Sequence, residues 1–151
     1  MILKLLKNKS YFLLLLASIL FLVLSLTINK NEMMDINIHD TYYVITFRDG
    51  FILLCLIFLT AGLFYFVFDF FKVLLISILS LIHVYGSLIF IELFFYYLHM
   101  VNSVEDFPLF DSVDYNLRTI FSLFIFAGLQ LLFVFNIILK LSSFFLKSIS
   151  K

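Results

Sequence analysis

The sequence predicts an all-α polytopic membrane protein with four transmembrane helices, and hydropathy, run length and charge partition each point that way. Mean hydropathy is +1.17. Four apolar runs, 11–28, 51–68, 73–98 and 119–139, are each long enough at helical rise to cross a hydrocarbon core of about 30 Å. Eight of the ten acidic residues fall in two connecting segments, 29–50 and 99–118, and seven of the ten basic residues fall in the other aqueous segments. Lysine-rich segments are retained in the cytoplasm. Both termini are therefore expected inside and both acidic loops outside.

The elements follow in order. Lys4, Lys7 and Lys9 precede the first run, as they would in a signal peptide. The run is longer than a usual signal core, and Thr27-Ile28-Asn29-Lys30 is no small-x-small cleavage site, so the segment is expected to stay. The first outer loop opens polar and continues as Tyr42-Tyr43-Val44-Ile45-Thr46-Phe47, β-branched and aromatic residues suited to an extended segment at the membrane interface. The second run holds the single cysteine, Cys55, which has no partner within the chain and is expected to pack as a small apolar residue. Asp69-Phe70-Phe71-Lys72 reads as a very short inside turn, making the second and third spans antiparallel neighbours.

In the third run Ser80, His83 and Ser87 fall at i, i+3 and i+7 with Gly86 beside them, a small, polar strip that another helix can approach closely. Glu92, nine residues after His83, points roughly the other way and shares its face with Tyr85, Tyr96 and His99. It is expected toward the outer leaflet, bonded to a tyrosine or to Gln130 of the fourth span. The second outer loop carries the only proline, Pro108, with Glu105, Asp106, Asp111 and Asp114, and reads as an ordered loop with a short helical turn capped by Ser103 or Ser112. Lys140, Lys147 and Lys151 follow the last span.

Composition also excludes function classes. At 151 residues the chain is one membrane domain, 1–151, a four-helix bundle with no segment left to bury a soluble core. Net charge is zero and seven of the eight lysines are spread over three expected cytoplasmic segments, so no nucleic-acid footprint exists. No serine or cysteine has a histidine and an acid at a spacing that would make it a nucleophile, so no catalytic residue is assigned.

Two candidate sites remain. His83, Glu92 and His99 form a candidate intramembrane polar site, because ionisable side chains inside a bilayer are costly and usually face protein or water. On the outer side, His39 and Asp40 could hold a divalent cation if Glu32, Asp35 or Asn37 converge on it. Strand alternation places Asp35, Asn37 and His39 on one face and Asp40 on the other unless the chain turns at His39-Asp40. The structural alternative is a turn in which Asp40 accepts backbone or tyrosine hydrogen bonds, with Tyr42 and Tyr43 packed on the outer ends of the third and fourth spans.

From His39 to Val44 the string His-Asp-Thr-Tyr-Tyr-Val resembles the segment leading into a haem-binding helix of subunit I of the haem-copper cytochrome c oxidases. The resemblance implies that His39 and Asp40 contribute to a magnesium site on the outer side of the membrane. Where that family continues into haem-ligating histidines, this chain has Phe47 and Asp49 flanking Arg48, and its only histidines are His39, His83 and His99. No haem and no oxidase activity are expected. The run Asp35-Ile36-Asn37-Ile38-His39-Asp40-Thr41-Tyr42 is also similar to a segment of small uncharacterised four-span membrane proteins of Bacteroidetes bacteria. The expected role is non-enzymatic: an accessory or structural component of a bacterial cytoplasmic (inner) membrane, associating with the lipid bilayer and with other membrane proteins or further copies. The alternative is a small ion- or redox-linked membrane protein using an outer metal site at His39 and Asp40 with Glu92 and His99.

Overall fold

A computed structural model describes residues 9, 11–38, 41–73, 75–103 and 114–149. In chain order the elements are α1 (Tyr11–Thr27), β1 (Met33–Ile38), β2 (Thr41–Thr46), α2 (Phe47–Phe70), α3 (Ser77–Ser103) and α4 (Tyr115–Ile149). Three stretches are long and apolar enough to cross a membrane: Phe47–Phe70, Ser77–Val101 and Tyr115–Ser142. The 17-residue α1 is apolar but shorter. The chain forms two compact units, Met1–Asp35 with Thr41–Ser77, and Ile36–Asp40 with Ile78–Lys151.

In the first unit α1 and α2 are antiparallel. Tyr11 meets Phe66 and Asp69, Leu15 meets Gly62, and Phe21 stacks on Phe58 and Phe51 at centroid distances of 5.5 and 6.0 Å. Each helix buries one seam at alternating three- and four-residue steps: Tyr11, Leu14, Ser18, Phe21 and Ser25 on α1; Phe51, Leu54, Phe58, Ala61 and Tyr65 on α2. That spacing keeps one stripe of a helix facing its neighbour. Ser18 and Ser25 donate to the Leu15 and Leu22 carbonyls at 2.7 Å, which satisfies both hydroxyls within their own helix. Cys55 is buried in α2.

The helix ends depart from the apolar runs because polar caps set them. Thr46 caps α2: its Oγ1 accepts from the Asp49 N–H at 3.1 Å and donates to Asp49 Oδ2 at 2.7 Å. The helix therefore starts at Phe47, four residues before the expected span. At its other end Asp69 and Phe70 are still helical, so the turn comes later than the sequence suggests. The Val73 N–H donates to the Phe68 carbonyl at 2.8 Å and the Lys72 N–H to that of Asp69 at 3.0 Å, with Lys72 at φ 57°. These bonds form a Schellman motif built on a non-glycine residue. Asp114 caps α4 by accepting from the Leu117 N–H at 2.8 Å. Ser103 is the last residue of α3, and Ser112 and the loop turn expected between them lie outside the described residues. α3 begins four residues later than expected and runs five further, whereas α4 extends past both ends of its apolar run.

The fold is mostly helical, but the first loop departs from the all-α expectation, because β1 and β2 pair as a two-stranded sheet. Pairing answers a physical need, since extended backbone beside apolar surroundings must satisfy its N–H and C=O groups internally. Met34 and Ile36 are buried at alternate positions of β1, and Met34 lies against Gly50. The Phe47 N–H donates to the Glu32 carbonyl at 3.1 Å, tying the start of α2 to the residue before β1. Tyr42 and Tyr43 are 71% and 49% exposed. β2 has no apolar–polar alternation to choose a buried face, and all of Thr41 to Ile45 is exposed.

Candidate functional site

The polar residues of the second unit converge on one seam. Along α3 the sequence places Ser80, His83 and Ser87 on one face; along α4 it places Thr119, Ser122, Phe133 and Asn136 on another, again at helix-seam intervals. The two faces meet antiparallel. Asn136 Nδ2 donates to Ser80 Oγ at 3.1 Å, His83 Nε2 lies 3.2 Å from Gln130 Oε1, and Gln130 Nε2 donates to Ser87 Oγ at 3.0 Å. Gln130 Nε2 also reaches the Phe126 carbonyl at 3.4 Å, an atom that can only accept. That contact orients the amide with its oxygen toward His83, so His83 Nε2 carries the proton and donates.

His83, Ser87 and Asn136 are buried, with His83 only 1% exposed. The imidazole stacks on Phe133, ring centroids 4.8 Å apart and planes 18° from parallel. Gly86 sits against Leu129; a Cβ there would stand 2.9 Å from Leu129 Cδ1. Thr119 and Ser122 donate to the Tyr115 and Arg118 carbonyls of their own helix at 2.9 Å. Toward the other end of the seam the Arg118 guanidinium lies over the Tyr97 ring, 5.8 Å from its centroid. Ser80, His83, Ser87, Gln130 and Asn136 are thus matched to one another across the seam, and in a bilayer each interhelical bond contributes on the order of 0.6 to 1.7 kcal/mol. Chemically the arrangement is an adhesive and a register key.

The candidate residues from the sequence fare differently. His83 lies inside this seam. Glu92 and His99 are exposed on α3, about 10 Å apart along the helix axis, and do not join it. Gln130, expected as a partner for Glu92, is engaged by His83 and Ser87 instead. Among the described residues Glu92 makes no hydrogen bond or ion pair, although a tyrosine partner was the other expectation. Glu92 stands three residues beyond the midpoint of Ser77–Val101, about 4.5 Å along the axis. His39 and Asp40 lie outside the described residues, as do the side chains of Asp35 and Asn37. Among the described residues no group of three or more His, Cys, Asp or Glu side chains could hold a metal ion.

Two features escaped sequence reading. Asn136 is one, although it shares a three-and-four spacing with Thr119, Ser122 and Phe133 that could have disclosed it. The other is a polar cluster where α1 begins and α2 ends: Asp69 Oδ2 takes a hydrogen bond from the Tyr11 hydroxyl at 3.0 Å and pairs with Lys9 Nζ at 3.3 Å. Hydrogen bonding to Asp69, then the nearby charges of Tyr11 and Asp69, raise the Lys9 ammonium above its ordinary pKa of 10.5. Compared with known proteins, the chain matches no protein-family model, no curated protein and no solved structure.

Proposed function

We propose that this chain is a non-enzymatic integral membrane protein of a bacterial cytoplasmic membrane, an accessory or structural component that associates with other membrane proteins. One observation carries the reading. The histidine, amides and hydroxyls of α3 and α4, the groups best suited to chemistry inside a bilayer, are bonded to one another between the helices. They hold two helices in register. The outward surfaces remain broad and apolar, as a lipid- or protein-facing scaffold requires.

In this reading α1 also crosses the membrane. Its 17 residues reach about 25 Å at helical rise, the lower limit for a span. Its antiparallel pairing with α2 supports the crossing, and the Lys9–Asp69 pair joins two segments that the charge partition assigns to the cytoplasmic side. Both termini then lie inside, with the β hairpin and the second acidic loop outside.

The test is isolation from the native membrane in mild detergent at low concentration. The 17.8 kDa chain should migrate within an assembly larger than itself. A monomer whose melting temperature rises with the logarithm of magnesium concentration, and loses that rise in His39→Ala, would replace this reading with an ion-linked one.

A further inference from the structure

We infer that β2 is a self-association strand, whose free edge takes the β2 of a second copy of this chain, antiparallel, to make one sheet across two copies. The inference rests on the accessory-component reading above and names one partner within the assembly.

β1 and β2 are joined by residues 39 and 40 alone, so they pair antiparallel. Among the described residues the sheet has these two strands, and a strand with a neighbour on one side leaves alternate N–H and C=O groups without a ladder partner on the other. Such edges are ordinarily blunted by lysine, proline or an inward charge. Thr41-Tyr42-Tyr43-Val44-Ile45-Thr46 contains none of these. The rest of the chain is poorly suited to fill the edge. α1 to α4 use their backbone groups internally, so wherever they stand beside the hairpin they cannot extend its ladder. In the topology above, residues 104–113 are the other connection on that side, and they carry Pro108, which has no N–H, among Glu105, Asp106 and Asp111.

Self-complementarity decides the occupant. Laid antiparallel on itself about a two-fold axis between Tyr43 and Val44, β2 sets Tyr43 opposite Val44, Tyr42 opposite Ile45 and Thr41 opposite Thr46. These are aromatic with β-branched and threonine with threonine, favourable cross-strand pairs, and symmetry makes each of them twice. No like charges meet. β1 has no such property, because the same operation would set Asp35 against Ile36 and Asn37 against Met34. Joining the two β2 strands also turns two hairpins, each marginal as an isolated pair, into a four-stranded sheet in the order β1-β2-β2-β1. Copies in one membrane share an orientation, so the two-fold axis runs along the membrane normal and β2 lies across it.

The full-length protein, with the buried Cys55 replaced by alanine, should be given single cysteines in β2 and mildly oxidised in phosphatidylcholine vesicles. Directly opposed residues of antiparallel strands have Cα atoms about 4.5 to 5.5 Å apart, within disulfide range. Tyr42→Cys mixed with Ile45→Cys should give a crosslinked dimer. Neither variant should crosslink with itself, nor Tyr42→Cys with Val44→Cys, because those positions point to opposite faces of the sheet. Crosslinking of each variant with itself, or in no mixture, overturns the inference. A disulfide from Ile45→Cys to a cysteine placed within residues 104–113 of the same chain, with none between copies, overturns it in favour of an internal occupant. Energy transfer between donor- and acceptor-labelled copies carrying the native β2 should be lost when Tyr43 and Val44 are both lysine. It should return when those copies meet copies with glutamate at both positions. No transfer between copies with the native β2 overturns the inference even if no variant folds. Sizing from the native membrane separates the two levels of failure. A native assembly larger than the chain, with no transfer between copies in vesicles, leaves the accessory role standing without this strand, whereas a native monomer removes the role itself.

Discussion

Lys72 occupies a backbone position that glycine usually fills. Its φ of 57° closes the Schellman motif after α2, and an L-residue in that region costs roughly 1 to 2 kcal/mol relative to glycine. Comparing Lys72→Gly with Lys72→Ala cancels the loss of the ammonium, and the glycine variant should be the more stable by about 1 kcal/mol in detergent unfolding. Equal stabilities would mean that the turn does not hold this conformation. Lys9 provides a second test at the same scale. Its folded pKa is raised, so the stabilisation from its pairing with Asp69 is complete below the ordinary lysine value of 10.5 and disappears as pH rises through the folded value. Melting curves should show Lys9→Met less stable than wild type near neutral pH, with the difference closing as pH rises through the raised folded value. A difference that persists there would assign the effect to packing of the lysine stem.

Seams at three- and four-residue intervals organise the helices, and glycines set how closely the seams approach. A Cβ at Gly62 would stand 2.7 Å from Leu15 Cδ2 and 2.9 Å from its Cγ, so alanine there requires the Leu15 side chain to shift within the α1–α2 seam. Gly62→Ala should destabilise the first unit by roughly 1 to 3 kcal/mol. Gly128 has nothing within 4 Å of that position, and Gly128→Ala should stabilise α4 by about 0.5 to 1 kcal/mol through helix propensity. Opposite signs in one unfolding assay are the expected result. Across α3 and α4, a double-mutant cycle of His83→Ala and Gln130→Ala should return a coupling of about 0.6 to 1.7 kcal/mol. Zero coupling would mean that the 3.2 Å contact contributes no stability.

At the scale of the whole molecule, apolar side chains are exposed along every helix: Leu16 and Leu26 on α1, Leu53 and Phe70 on α2, Ile78 on α3, Phe124 and Leu131 on α4. Water would penalise such surfaces and a bilayer would not. The proposed four-span topology predicts that reporters fused at Lys151 and within residues 104–113 report opposite compartments. Finding both on one side would end that topology. The resemblance of His39 to Val44 to the oxidase segment implies haem-ligand positions at Phe47 and Asp49, neither of them histidine; Asp49 bonds to the Thr46 cap and Phe47 begins α2. The purified protein should therefore show no haem absorption, and a stoichiometric Soret band abolished by His83→Ala would contradict this.

The sequence by itself determined which segments are helical and apolar, and it disclosed that Ser80, His83, Gly86 and Ser87 share one face of α3 while Tyr85, Glu92, Tyr96 and His99 share another. Those are properties of a single helix, where periodicity converts residue number directly into angle. Tertiary structure decided who stands opposite. Gln130 reaches His83 and Ser87 instead of Glu92 because pairing depends on the axial register of α4 along α3, which no periodicity within either helix encodes. Lys9 finds Asp69 across 60 positions of sequence for the same reason. The strand pairing and the helix ends were also hidden, because a cap or a ladder is a local contest among hydrogen bonds that hydropathy does not record. Hydrophobicity and periodicity act within an element and can be read along the chain, whereas register and pairing arise between elements and exist only once they pack.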